Sequence, residues 1–261
     1  MSQIGRILGL VAVLLVPVTA QATTLDLATS TNGDTPDTTS GTINGAIFEW
    51  VDVGATGTGL INTFVQIQTN AVTEHAYNTT ENNTLDVASS DVFNHELLLT
   101  DIPIVNIGGV NYREFLLDIN EPSANSKPLL SLNEIQIIQS NTPNSDSETF
   151  SSGLLQIPGG FLAYRLDAGG DNRIELNASL NSGSGYGDMF MYVPTTVFSS
   201  NYQYVYLYSS FGTPNAAHAG FEEWAVREVE STNEVVPEPA TLSLLGLGRA
   251  GMAARRLRKR S

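Results

Sequence analysis

The sequence predicts an all-β fold, an antiparallel β-sandwich or jelly-roll-like single domain. Three observations carry this prediction: short runs of β-branched and aromatic residues recur along the chain, several of them alternate with period two, and helical periodicity is scant. The runs are 47–53, 60–68, 96–99, 112–119, 135–139, 161–166, 174–180, 189–193 and 202–209, each bounded by Gly, Pro, Asn or Asp. Their number and even spacing suit two packed sheets. Residues 195–199 read as a short turn, and 220–228 as either a turn of helix or a final strand. The stretches 141–153 and 181–188 read as exposed loops. Residues 23–44, rich in Thr, Ser, Asn, Asp and Gly, read as a flexible polar lead-in to a domain over 45–230. No repeat of fixed period is present, which argues against a solenoid or propeller.

Composition narrows the class further. A chain of 261 residues accommodates one large all-β domain once its two ends are set aside. With 41% hydrophobic and 15% charged residues it can bury a core, unlike charge-dense chains that stay disordered. The absence of cysteine excludes a disulfide framework, a thiolate metal site and a thiol nucleophile. The net charge of −15 conceals a division: all 27 acidic residues lie between Ala22 and Pro239, where the only basic residues are Arg113, Lys127, Arg165, Arg173 and Arg227. So acidic a body repels phosphate backbones, which excludes nucleic acid as a partner and favours divalent cations or cationic partners.

The ends carry processing signals. In residues 1–22, Arg6 forms a basic start, 7–18 an apolar stretch, and Ala20-Gln21-Ala22 a small-x-small site, so the secretion machinery is expected to cut after Ala22. The apolar stretch is shorter than the roughly 20 residues a membrane span requires. Residues 231–261 hold a linker, the motif Pro237-Glu238-Pro239, an apolar run and the basic cluster Arg255, Arg256, Arg258, Lys259, Arg260. Basic residues at the end hold it on the cytoplasmic side while the body lies outside. This architecture resembles the PEP-CTERM sorting signal. The resemblance implies an exported bacterial protein, transient inner-membrane insertion through the C-terminal hydrophobic helix, and exosortase as a partner that recognises Pro237, Glu238 and Pro239. One residue departs from the pattern: Arg249 splits the apolar run, and a charge at a helix centre costs about 2.5–3.5 kcal/mol on insertion scales. Segments such as 59–68, 101–105, 115–120 and 220–226 also resemble uncharacterised PEP-CTERM exported proteins. That likeness implies export, β-structure and an association with exopolysaccharide or biofilm, and no activity.

Motifs for catalysis are absent. His75, His95 and His218 are far apart and form no H-x-x-x-H pair, and neither a G-x-S-x-G elbow nor a P-loop occurs. Asp118 and Asn120 place oxygen ligands at alternate positions leaving a strand, and Asp167 and Asp171 flank a Gly-rich turn; such loops can hold Ca²⁺. The other reading makes them turn formers and solvated charge. Tyr202, Tyr204, Tyr206 and Tyr208 alternate, so a strand sends all four rings to one face. That face either stacks on sugar rings or forms an aromatic cluster of the fold. Trp50 and Trp224 read as core residues, and the sequons at Asn78, Asn82 and Asn177 as incidental in a bacterial protein. The function expected is that of a non-enzymatic surface or matrix protein associated with exopolysaccharide. The alternative is a carbohydrate-binding module, calcium-dependent in one version; an exported hydrolase ranks below both.

Overall fold

A computed structural model describes residues 21–31, 35–52, 61–80, 84–88, 92–122, 128–181, 187–218 and 220–227. The strands in chain order are β1 (Thr24–Asp26), β2 (Ser40–Ile43), β3 (Ala46–Trp50), β4 (Ile61–Ile67), β5 (Glu74–Tyr77), β6 (Leu97–Leu98), β7 (Ile104–Ile107), β8 (Val110–Ile119), β9 (Leu129–Ser140), β10 (Phe150–Ser151), β11 (Leu154–Leu155), β12 (Phe161–Arg165), β13 (Arg173–Asn177), β14 (Met189–Pro194), β15 (Tyr204–Phe211) and β16 (Glu222–Arg227). Only two single turns of 3₁₀ helix, Leu99–Asp101 and Thr195–Val197, interrupt them among the described residues. The all-β sandwich expected from the sequence is the fold observed, and within 220–228 the residues Glu222–Arg227 form a strand.

One sheet runs β1-β13-β9-β15-β5 and the other β2-β3-β14-β8-β16-β4. The long central strands host two neighbours each along one edge: residues 129–132 of β9 pair with β13, and 136–139 with β12. Pairing is antiparallel except between β1 and β13. Period two then builds the core. On β15, Val205, Leu207 and Phe211 face inward; on β8, Phe115, Leu117 and Ile119 do, and together with Phe48, Phe64, Ile137 and Trp224 they form one buried cluster between the sheets. Trp224 of the second sheet donates its indole N–H to Ser209 Oγ of the first at 3.0 Å, so the sandwich is also joined by a hydrogen bond. Trp50 is half-buried and packs against the same core.

The lead-in expected to be loose over 23–44 is a correction. It carries β1 and β2, and Leu25, Leu27 and Ile43 are buried in the main core. Its few apolar residues each fill an inward position, and β2 joins β3 through Asn44 (φ 50°) and Gly45 (φ 85°), a two-residue turn that needs left-handed backbone at both positions.

The expected exposed loop 141–153 is observed over most of its length, with Ser145 its one buried residue. Its end forms the β10–β11 hairpin, turning at Ser152 and Gly153, and the segment folds back over the outer face of the first sheet. The core of the expected loop 181–188 lies outside the described residues, but its last residue, Asp188, is buried. Its Oδ2 accepts the Ile119 N–H at 2.8 Å, tying the start of β14 to the end of β8.

Candidate functional site

The tyrosine strand is β15, and its rings do share the outer face of the first sheet. That face is largely covered. Tyr206 is 0% exposed and Tyr208 6%, packed with Tyr77, Ile138, Leu155 and Ile157. Tyr206 accepts the Ser145 N–H at 3.1 Å and donates to Thr142 O, while the Tyr77 hydroxyl donates to Ser145 O at 2.8 Å. The segment after β9 is thus pinned down by tyrosine hydroxyls, and burial raises the pKa of both phenols. Stacking of sugars on Tyr206 and Tyr208 is incompatible with this cover. Tyr202 and Tyr204 stay partly exposed, and Tyr202 lies parallel to Phe161, ring centres 5.7 Å apart.

The carboxylates singled out for metal do not converge. Asp118 is buried on β8 of the second sheet, beside Asp188, and Asn120 follows it with its N–H bonded to Phe221 O. Asp167 and Asp171 belong to the turn after β12 in the first sheet. Asp167 Oδ1 accepts the Asn172 N–H at 2.7 Å, and Asn172 in turn accepts the Thr23 N–H at 2.8 Å and donates to Leu166 O at 2.6 Å. The acidic turn therefore seats the start of the domain next to Ala22. Gly170 is required there, since a Cβ would meet Gln21 O at 2.8 Å. Burial, then Glu134, raises the Asp167 carboxyl to about 6. Among the described residues no group of three His, Asp or Glu is placed to hold a metal ion.

What the fold brings together instead is a polar hollow at the end of β15. β9 carries an extra residue, Asn133, opposite the shift between Ser210 and Phe211. Such a bulge re-aims a side chain, and Asn133 Oδ1 accepts the Thr213 N–H at 3.0 Å. Beside it a hollow of about 250 Å³ is lined by Glu74, His75, Asp86, Asn133, Ser210 and Thr213 among others. It adjoins a second of about 510 Å³ with Asp171, Arg173 and Pro214, the two sharing Asn133 and Thr213. His75 sits between Phe150, ring-stacked at 6.1 Å, and Tyr208, whose hydroxyl is 3.1 Å from Nδ1. Its Nε2 is 4.0 Å from Asp86 Oδ2, beyond hydrogen-bond reach. Burial lifts the Tyr208 phenol to about 12, so it keeps its proton at neutral pH. The arrangement offers donors and acceptors beside aromatic rings, which suits binding of a hydroxyl-rich ligand. It does not align a nucleophile, a base and an orienting group.

His75 was visible in the sequence only as one of three isolated histidines, and Asn133 and Asp86 carried no motif. The bulge that assembles them depends on strand register, which short-range pattern does not specify.

The class defined so far is an acidic, cysteine-free β-sandwich with a polar hollow at one end. Comparison with known families adds the C-terminus: residues 235–259 match the PEP-CTERM protein-sorting motif, the signal that exosortase recognises. The chain is a PEP-CTERM domain-containing protein, and the motif implies an exported, cell-surface-directed product. No curated protein and no solved structure matches it. Pro237, Glu238, Pro239, Arg249, Ala20 and the C-terminal apolar run lie outside the described residues. Among those described, no helix is long and apolar enough to cross a membrane.

Proposed function

We propose that the chain is a non-enzymatic surface or extracellular-matrix protein that associates with exopolysaccharide or biofilm after processing at its Pro-Glu-Pro signal. The single observation that carries this reading is the sorting motif over 235–259 at the end of an acidic β-domain. Fractionation of the native host tests it. The protein is expected with the polymeric matrix in cells that have exosortase, released when the polymer is degraded enzymatically. Recovery in the soluble medium whether or not the polymer is intact would refute the association.

A second reading, a lectin-like module, is favoured by the hollow around His75, Asp86, Asn133 and Ser210, where polar groups converge beside Phe150. Tyr202 with Phe161 adds a partly exposed aromatic pair on the same sheet. On a glycan array the full chain is expected to give selective signals that weaken at least tenfold in His75→Ala and are unchanged in a variant of the exposed Val92. Equal binding by both variants would remove the hollow from the account. Calcium dependence of this reading is tested by repeating the array with chelator.

A further inference from the structure

At one end of the sandwich two carboxyl groups meet inside the protein. Glu74, at the start of β5 in the first sheet, is 2% exposed, and Glu222, at the start of β16 in the second, is 0% exposed. Both face inward. Glu74 pairs in register with the core residue Phe211, and Glu222 with Ile67 and Ile119. The two carboxyls lie close enough that each shifts the other, and no N–H or hydroxyl donor among the described residues makes a hydrogen bond to either oxygen of Glu222. The other charges that bear on the pair are acidic: Glu121 and Asp118 on Glu222, Asp86 on Glu74.

The described basic side chains are committed elsewhere. Arg113 donates to Leu99 O and Ile102 O, Arg165 pairs with Glu134, Arg173 with Glu175 and Arg227 with Glu114. Two desolvated carboxylates with no cation between them are among the costliest arrangements a core can hold, and a backbone hydrogen bond from Thr69 to Glu74 offsets little of that cost. A fold that brings them this close holds either a shared proton or a cation between them.

We propose that Glu74 and Glu222 bind a divalent cation of the Ca²⁺ class, which joins the two sheets at this end of the sandwich. Hard cations take carboxylate, backbone carbonyl and water oxygens together. The two glutamates supply the charge, and carbonyls and water complete the shell, since among the described residues no three acidic or histidine side chains converge as a preformed cage. The hollow of about 250 Å³, which Glu74 itself lines, opens the way in for the ion and its water. Exported modules meet calcium at millimolar levels and bind it with dissociation constants of about 10⁻⁴–10⁻³ M. The site differs from the Asp118, Asn120, Asp167 and Asp171 set and is independent of glycan binding.

Metal-stripped full chain, titrated with CaCl₂ and separately with Tb³⁺, tests the proposal. Trp224 lies two residues from Glu222 on the same inward face, roughly 7 Å along the strand, so bound Tb³⁺ is expected to luminesce on tryptophan excitation and to be displaced by Ca²⁺. At a Ca²⁺ concentration 50 times the dissociation constant the folding equilibrium shifts about 50-fold, a Tm rise of roughly 5–9 °C. Glu222→Gln and Glu74→Gln should each abolish both signals while remaining folded, because each removes one of the opposed charges. The double variant Asp167→Asn, Asp171→Asn should keep them. No Tb³⁺ luminescence and no Tm shift at several millimolar Ca²⁺ would overturn the proposal, leaving a proton shared between the carboxyls. A response that survives Glu222→Gln would also overturn it, by placing the ion elsewhere.

Discussion

Asn78 follows β5 and is 0% exposed, and its side chain takes the place of a strand backbone. Its Oδ1 accepts the Leu207 N–H at 2.7 Å and its Nδ2 donates to Val205 O at 2.9 Å, extending the β5–β15 pairing beyond the point where the strands diverge. Asn78→Ala leaves a buried N–H and a buried C=O on β15 without partners. Each costs about 1–3 kcal/mol, so the variant should lose about 2–6 kcal/mol. At 2–4 °C per kcal/mol for a domain of this size, Tm should fall by roughly 8–16 °C near the middle of that range. Urea unfolding of the full chain and the variant measures the difference, and the m-value should be unchanged because the exposed area on unfolding is the same. A loss below about 1 kcal/mol would show that water or a shifted strand satisfies those groups, refuting the strand-mimic argument.

Three further outcomes are expected. Asp167 titrates near 6 in the folded protein, above the ordinary 3.8, so the folded state holds more protons between those values and stability falls as pH rises from about 4 to 6. Asp167→Asn keeps the acceptor for Asn172 and should flatten that slope, gaining on the order of 1 kcal/mol at pH 7 after allowance for solvent screening, as read from urea midpoints at pH 4 and 7. Tyr206→Phe removes the hydroxyl that holds Thr142 and Ser145, costing about 1–2 kcal/mol, and should speed limited proteolysis within residues 141–153. Arg249→Leu joins the split apolar run and should raise the membrane-associated precursor on immunoblot; unchanged fractions would show that Arg249 does not limit insertion.

The fold class was legible because burial on two-faced strands imposes period two. Runs such as 112–119 and 202–209 became β8 and β15 nearly as read. The errors arose where few residues carry the signal. In 23–44 only Leu25 and Ile43 mark strands that are mostly polar, and in the hairpin 150–155 a two-residue strand per arm leaves no periodicity to find. The tyrosine face was located correctly, but whether it meets solvent depended on a segment more than 50 residues earlier folding across it, a contact with no local trace. Asp118 and Asp167 share a composition and not a place, since adjacency across sheets is a matter of topology. Glu74 and Glu222 stood unremarked among 27 acids; the one clue was a carboxylate at an inward position beside Ala76 and Trp224.

The C-terminal motif implies that this β-sandwich is exported and sorted. Intact-mass analysis of the protein from the surface and medium of its native host, with and without exosortase, tests that most directly. The mature chain is expected to begin at Thr23 and to lose the residues after the Pro237–Pro239 region only when exosortase is present. A chain that keeps its full tail in both strains would contradict it.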